Sequence, residues 1–324
     1  VEVTWCENSV RVESGKRSIT VTSYDSRFCF DKKSGELDLF EFRGQTFLTS
    51  GPSTNLWRAP TDNDQGGWVF SFADRWEKAG FNSLHTLDGV VTTYVNSSGE
   101  FYFIHEAKLG YEHKIICTTK TCYKVTSMGQ LEIDCTFQLS RGLPPPARVG
   151  VLLRCSKDLQ QVKWLGLGPH ENYPDRKASA FLGCYEAQVR DLHVPYIVPS
   201  ENGAHQETRW LALHSTDSTN MCFFTAVDNF SFSVSNFSAF ELARCQHQHE
   251  LTPDEHVNVH LDAFHMGLGG DCSWFPCVHE EFVASSRRYS FRFLVAGVSG
   301  AAQLLDASYR LPAEPTDAKE VEKY

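Results

Sequence analysis

The sequence predicts an all-β protein, a large antiparallel β-sandwich with one or two short helices. Three observations support this fold class. Along the 324 residues, segment after segment is apolar, β-branched or alternating, and Gly, Asn and Ser separate the segments. Aromatic residues make up 13% of the chain, a composition that suits sheet surfaces. Apolar residues recur at convincing helical spacing in one segment, 68–80, and the rest of the chain has strand patterns. The expected architecture is therefore two long antiparallel sheets packed face to face.

The N-terminal part predicts a β-meander. Strands are expected at 18–23, 28–31, 37–42 and 46–48, and Gly35 supplies the tight turn of a hairpin. The strands expected further along lie at 90–95, 102–109, 113–121, 131–139, 148–153, 162–167, 178–188, 210–214, 222–228, 230–237, 257–264 and 289–296.

Two helices interrupt this pattern. In 68–80, Trp68, Phe72 and Trp76 recur at helical spacing, and Gly80 can end the helix. A shorter helix is expected at 240–246.

The domain organisation follows from composition. Residues 1–311 predict a single domain, and the charged, Pro-broken residues 312–324 predict a disordered polar tail. The chain opens with Val1 and has no initiator Met, so we expect it to be a piece of a longer product.

Charge and cysteine content exclude several classes. The net charge is −10 without a basic stripe, which excludes nucleic-acid binding, and no apolar run is long enough for a membrane span. The 11 cysteines are scattered and odd in number, which favours thiols in a reducing compartment, hence the cytoplasm. Three N-glycosylation sequons, at Asn96, Asn229 and Asn236, weakly favour the opposite, an oxidising secretory compartment. We expect no cofactor and no metal, since Cys272 and Cys277 lack a second pair for zinc.

Three polar, turn-rich stretches each follow an apolar run, and together they could form one face of the fold. They are WLGLGPHENYPDR at 164–176, VPSENGAHQETR at 198–209 and DAFHMGLGGDCSWFP at 262–276. The alternative for the first is a capped turn in which Asp175 and Arg176 only hold the loop. A fourth stretch, LWRAPTDNDQGG at 56–67, has an acid-amide-acid run that matches only part of a calcium loop.

Four ordered motifs then indicate a family. They are RAPTDND at 58–64, WLGLGPHENYPDR at 164–176, PYIVPSENG at 195–203 and HMGLGGDCSW at 265–274. Together they closely resemble the C-terminal small-chain domain, domain 5, of the large bacterial β-galactosidases of glycoside hydrolase family two. The resemblance extends over residues 28–296.

The resemblance implies a β-supersandwich like that of galactose mutarotases, in which this domain closes one side of a galactoside site. Trp274 would stack on the sugar, since an indole packs well against the C–H face of a sugar ring. The other substrate-binding candidates are Asp271, His265, Glu201, Asn202, Asp175 and Arg176. The sequence departs from the bacterial pattern at Cys272, usually Asp, and at His170, which replaces Gln in some members.

The first predicted function is completion of a galactoside-hydrolase site. Retaining hydrolysis needs two carboxyl groups about 5–5.5 Å apart. In the family both belong to a preceding (β/α)₈ barrel, and nothing in this sequence alternates as a barrel of about 250 residues does. We therefore expect a galactose-type ligand, an upstream barrel domain or large chain as partner, and no hydrolysis by the isolated chain. A homo-oligomer stays open.

Two alternatives remain. An aldose 1-epimerase would need a general acid and a general base, for which His170, Glu171, His265 and Glu201 are candidates. His170 and Glu171 are adjacent and would point to opposite faces of an extended strand. The second alternative is a stand-alone, non-catalytic sugar-binding module with Trp274 and Trp164 as its platform. His247 and His249 predict a polar surface pair rather than a metal site.

Overall fold

The computed structural model describes residues 2–4, 10–67, 70–272, 275, 277–300 and 302–304, with the backbone alone described for residues 2–4. Its strands are β1 (Glu2–Thr4), β2 (Arg11–Ser14), β3 (Ser18–Ser23), β4 (Ser26–Asp31), β5 (Leu37–Phe42), β6 (Gln45–Asn55), β7 (His85–Val95), β8 (Phe101–Tyr111), β9 (Lys114–Val125), β10 (Leu131–Leu139), β11 (Arg148–Ser156), β12 (Gln161–Gly168), β13 (Phe181–Gln188), β14 (His205–His214), β15 (Asn220–Ser235), β16 (His256–His265) and β17 (Arg288–Ser299). Its helices are α1 (Asp62–Gln65), α2 (Phe72–Ala79) and α3 (Ala239–Arg244).

The strands form one antiparallel network that folds over on itself into two layers. One layer follows the order β1-β2-β3-β4-β5-β6-β11-β16. The other begins β7-β8-β9-β10-β17. The 16-residue β15 joins them, since its first half pairs with β17 and its second half with β16. The order continues from β15 through β14 and β12 to β13.

The core lies between the two layers. Phe30 on β4 stacks on Phe103 of β8 at 4.9 Å between ring centroids and contacts Tyr123 of β9 edge-on at 5.3 Å. On β10 the residues at odd positions, Leu131 to Leu139, are buried and alternate with more exposed ones. This period of two is what a sheet with one buried face requires. The predicted sandwich of antiparallel sheets is confirmed.

Most predicted strands are confirmed, and those at 18–23, 37–42 and 131–139 have the predicted bounds. The separate strands at 222–228 and 230–237 are wrong, because β15 is continuous through this region. Residues 227–229 are exposed while their neighbours on both sides are buried. The polar pair Asp228 and Asn229 therefore marks where the strand passes from one layer to the other, not a turn.

The helix predicted at 68–80 begins later, at Phe72. Ser71 caps it by accepting a hydrogen bond from the Asp74 N–H at 3.0 Å, and Gly80 ends it with φ of 76°, as predicted. Trp68 lies outside the described residues, as do residues 312–324. The shorter predicted helix is α3. Helix α1 was not predicted because it has a single turn. None of the helices in the described ranges is long and apolar enough to cross a membrane.

The contact between the layers at Phe30 gives a stability prediction. Phe30→Ala should lower the free energy of unfolding by about 3–5 kcal/mol, since it removes a ring that is fully buried between the layers. Phe181→Ala is the control: this ring is 71% exposed on β13, and its loss should change stability by less than about 0.5 kcal/mol. Urea unfolding followed by fluorescence measures both. Equal losses would contradict the two-layer packing.

Candidate functional site

The polar stretches singled out in the sequence converge on a cleft at one end of the sandwich. Its first part, about 460 Å³, lies between Asp175 and Arg176 on one side and the loop of residues 268–271 on the other, with His279 and Phe282 completing it. Its second part, about 500 Å³, extends along residues 196–198 toward Ser200 and Glu201. The two parts share Asn63, Arg176 and Leu268, so they form one depression, named here the cleft.

Asp175 holds the glycine-rich loop of residues 267–270 in place. Its Oδ1 accepts the Leu268 N–H at 3.1 Å and its Oδ2 accepts the Gly269 N–H at 2.7 Å. A Cβ at position 267 would lie 2.6 Å from Asp175 Oδ2, so the close approach requires glycine there. Asp175 thus has the loop-holding role that the sequence left as the alternative.

Helix α1 supports the same loop from its other side. Thr61 and Asp64 form a capping box that fixes the single turn. From this turn Asn63 Nδ2 donates to the Leu268 carbonyl at 2.7 Å. The acid-amide-acid run is therefore used for structure, with Asp64 pairing to an arginine and Asn63 holding the loop.

That arginine is Arg58, which is fully buried. Its Nε and Nη2 donate to the two Asp64 oxygens at 3.0 and 2.8 Å, a bidentate pair. Its Nη1 and Nη2 also donate to the carbonyls of Met266 and Gly267, each at 2.9 Å. The first motif of the sequence thus connects α1 to the end of β16.

A second buried arginine, Arg148, lies beneath the cleft. Its Nη2 donates to Glu201 Oε1 at 3.0 Å and to His265 Nε2 at 3.2 Å, and its Nε lies 3.5 Å from Asp262 Oδ2. Tyr173 donates its hydroxyl to the same Glu201 oxygen at 3.4 Å. These five side chains are named here the Arg148 cluster.

Burial sets the protonation of the Arg148 cluster. Removal from water raises the pKa of Asp262 to about 7 although Arg148 opposes the shift, and Asp262 Oδ1 lacks a hydrogen-bond partner among the described residues. Burial also raises the pKa of Glu201, and it lowers the pKa of His265 well below its usual range. One guanidinium thus faces two carboxyl groups. The cluster is electrically balanced when Asp262 is protonated and His265 is neutral.

The two weak catalytic candidates of the first stretch do not form an acid–base pair. Glu171 accepts the Gly203 N–H at 2.7 Å and also contacts Arg176 and the Tyr196 hydroxyl. His170 is exposed and lies 3.0 Å from the Ser179 hydroxyl. The third candidate, His265, is 2% exposed.

The substrate-binding candidates divide by exposure. Arg176 and Asp271 are exposed at the cleft, whereas Glu201, 5% exposed, belongs to the buried cluster together with His265. Asn202 stabilises its own loop: it accepts the Val194 N–H at 3.0 Å and donates to the Ser200 carbonyl at 2.9 Å. Sugar contact by these residues stays a prediction.

Two tryptophans, Trp274 and Trp164, were predicted to form a platform for a sugar. Trp274 lies outside the described residues, but Gly270 and Asp271 just before it line the cleft. Trp164 is buried against Tyr185, His205 and Phe232. Its predicted role as a sugar platform is therefore wrong, because a ring in the core offers no face to a ligand.

Sequence reasoning missed Arg148 and His279. Arg148 begins an apolar strand, and a charge at an inward position of such a strand was the available signal. His279 lies 3.0 Å from Asp271 at the cleft, and the hydrogen bond with Asp271 raises its pKa. Its local sequence, CVHEEF, contains no pattern that points to the cleft.

Metal ligation has no candidate within the described residues, where no cluster of three His, Cys, Asp or Glu side chains could hold an ion. His247 and His249 are exposed and stack on each other at 5.5 Å between ring centroids. Cys117 and Cys135 are buried, and burial raises the pKa of each thiol to about 12. They pack as small apolar residues.

Comparison with known proteins agrees with the four motifs. The family described as the β-galactosidase small chain matches residues 22–295. A β-galactosidase of Psychromonas ingrahamii is 32% identical over 304 residues, which cover 88% of this chain and 28% of that protein. One from Enterobacter cloacae is 33% identical over 289 residues, 86% of this chain and 27% of that protein. The chain thus spans little more than a quarter of these relatives.

Two of the solved structures to which the chain is similar are described as a galactose epimerase and an epimerase homologue. Galactose 1-epimerase from Lactobacillus acidophilus NCFM aligns with a TM-score of 0.48 and 6% identity, over 90% of this chain and 99% of that one. A GalM/aldose epimerase homologue from C. elegans aligns with a TM-score of 0.44 and 11% identity, over 89% of this chain and 100% of that one.

The Arg148 cluster predicts a strong effect of losing its cation. Arg148→Met should lower the free energy of unfolding by about 3–5 kcal/mol, because it leaves Glu201 and Asp262 buried without their partner. Lys120→Met breaks the exposed ion pair with Glu106 and should cost less than about 1 kcal/mol. Chemical denaturation compares the variants. A loss at Arg148 as small as that at Lys120 would refute the assignment of the cluster.

Asp262 predicts a pH dependence of stability. Its pKa is about 7 in the folded chain and about 4 when unfolded. Between about pH 4 and about pH 7 Asp262 is protonated in the folded chain and ionised in the unfolded chain. The contribution of Asp262 to the free energy of unfolding is therefore greatest at the acidic end of this range and falls as the pH rises to about 7. Asp262→Asn should abolish this component, about 1.4 kcal/mol per pH unit in mid-window. Urea unfolding of both proteins at several pH values measures the difference, and parallel curves would contradict the raised pKa.

Proposed function

The chain belongs to the β-galactosidase small-chain family, and from this premise we propose that it completes the sugar site of a galactoside hydrolase. In this proposal the cleft binds a galactose-type unit, and the catalytic carboxylates come from another part, an upstream barrel domain or a separate large chain. The observation that carries the proposal is the family match over residues 22–295 in a chain that spans 28% of a full β-galactosidase.

The geometry of the cleft supports sugar binding. The cleft is open and is lined by carboxylate, guanidinium, imidazole and amide groups beside the backbone of a glycine-rich loop. Convergent polar groups of this kind suit a ligand with many hydroxyls. Asp175 and Asn63 hold the loop against the sandwich, so the groups are presented from a rigid support. In the sequence Trp274 comes three residues after Asp271, and we propose that its indole adds the stacking face.

Three of the carboxylates at or beneath the cleft are engaged within the chain, which favours a role without hydrolysis by this chain; Asp62 and Asp271 line the cleft as exposed groups. Asp175 accepts two backbone N–H groups, Glu171 accepts a backbone N–H and contacts Arg176, and Glu201 is buried against Arg148. A retaining hydrolase needs a carboxyl group free to attack the sugar and a second one to transfer protons. The engaged state of these three groups supports a separate source for that pair.

Apolar side chains beside the cleft support a partner domain. Ile197 is 91% exposed and Val198 40% exposed on the cleft wall. Exposed apolar side chains next to a site commonly pack against another protein surface. We propose that these apolar side chains pack against the part of the protein that carries the catalytic carboxylates.

The buried thiols need no oxidising environment, and we therefore propose a reducing compartment such as the cytoplasm.

The proposal is tested by calorimetric titration of galactose into the chain. Wild type should bind, and Trp274→Ala should weaken binding about tenfold through loss of ring stacking. Tyr24→Ala is the matched control, because this exposed aromatic lines a different cavity and should leave affinity unchanged. The same samples are assayed for hydrolysis of nitrophenyl galactoside, where no turnover is expected.

Polarimetry of α-galactose separates the alternatives. Binding without faster mutarotation supports site completion, whereas acceleration by the chain would replace it with an epimerase. Turnover of nitrophenyl galactoside would overturn the assignment of the catalytic carboxylates to another part. Loss of galactose affinity in Tyr24→Ala equal to that in Trp274→Ala would overturn the cleft as the binding site.

A further inference from the structure

Two cysteine side chains lie close together next to Gly270 and Asp271, which line the cleft. Cys272 Sγ and Cys277 Sγ are 3.8 Å apart, Cys272 is exposed and Cys277 is half-buried. We propose that these two residues form a redox-active dithiol site, which a low-molecular-weight disulfide such as glutathione disulfide oxidises to an intramolecular bridge. The proposal is independent of the sugar-binding function.

The distances are close to those that a bridge requires. The Cys277 thiol donates to the Cys272 carbonyl at 2.8 Å, and the Cys272 N–H donates to Cys277 Sγ at 3.2 Å. A disulfide needs sulfur atoms about 2.05 Å apart, so the two must approach by about 1.8 Å. Rotation of side chains at the surface can supply a movement of this size.

The fold already keeps the two ends of this segment together. One residue before Cys272, Asp271 pairs with His279 at 3.0 Å. A Cβ at Gly270, where φ is +136°, would lie 2.3 Å from the Cys277 carbonyl oxygen and 2.7 Å from its Sγ. The backbone at Gly270 therefore packs directly on Cys277. Since both contacts form without a bridge, bridging should cost little further chain entropy.

The remaining thiols provide an internal comparison. Cys117, Cys135, Cys155 and Cys222 are buried, and burial raises the pKa of each, so they should react slowly with a reagent in solution. Cys184 is exposed on β13. An oxidant should therefore reach Cys184 as readily as the pair, but a different product is expected there.

The reaction is thiol–disulfide exchange in two steps. The thiolate of one cysteine attacks glutathione disulfide, which forms a mixed disulfide and releases one glutathione thiolate. The second cysteine then attacks the protein sulfur of the mixed disulfide, forms the Cys272–Cys277 bond and releases the second glutathione. The protein dithiol loses two electrons and two protons, and glutathione disulfide is reduced to two thiols.

The test equilibrates the full chain with mixtures of reduced and oxidised glutathione, traps the products by acid and alkylation, and maps them by peptide mass spectrometry. We expect a bridged peptide lighter by two hydrogen atoms and free of glutathione, reversible with excess reduced glutathione. Cys184 should carry a glutathione adduct instead. Cys277→Ser should abolish the bridge and leave an adduct on Cys272.

Two variants test the role of the fold. Gly270→Ala should lower the equilibrium constant for bridging at least about tenfold because the new methyl group displaces Cys277. Gly142→Ala is the matched control: it also has positive φ, of 74°, but nothing lies within 4 Å of the added Cβ. His279→Ala, which removes the hydrogen bond to Asp271, should also lower this constant and gives a second measurement should Gly270→Ala not fold.

Two results would overturn the proposal. One is glutathione adducts on Cys272 or Cys277 in wild type with no bridge. The other is bridging to the same extent in the urea-unfolded chain as in the folded chain, which would show that sequence proximity alone brings the thiols together.

Discussion

The buried guanidinium of Arg58 is the interaction on which the cleft depends. It binds both oxygens of Asp64 and two carbonyls at the end of β16, so a single side chain joins two segments that are far apart in the sequence. Without it, three buried acceptors, Asp64 Oδ1 and the two carbonyl oxygens, would lose their partner, whereas Asp64 Oδ2 would keep only the Thr61 N–H. The glycine-rich loop that forms one wall of the cleft begins at this junction, and Asp175 and Asn63 fix the rest of it.

Beneath the cleft, Arg148 is a second buried arginine that compensates buried carboxyl groups. A β-sandwich of this size has an apolar interior, and a group such as Asp262 is tolerated there only with a counter-charge or a proton. The fold uses both, since Arg148 balances Glu201 while burial raises the pKa of Asp262 to about 7, so that this carboxyl holds its proton below neutral pH. The floor of the cleft is therefore rigid and close to neutral. Arg176, Asp271 and His279 present the polar side chains that a ligand meets.

This division of roles fits a domain that completes a site. Its Asp175, Glu171 and Glu201 carboxylates are engaged in structure, its exposed polar groups line an open depression, and the apolar side chain of Ile197 lies beside it. The family relatives are several times longer than this chain. A surface of this kind can position one side of a sugar while leaving bond cleavage to groups on a second surface.

The sequence by itself determined the fold class, most strand positions and the family, because the alternation of apolar residues follows from burial of one sheet face and the motifs are local in the chain. It also identified the stretches that meet at the cleft. Only the tertiary structure decided which side chains are accessible: it buried His265, Glu201 and Trp164, and it brought His279 to the cleft. The reason is that accessibility and charge pairing arise between segments far apart in sequence, such as Arg148 with Asp262, and no local pattern encodes which strands become neighbours.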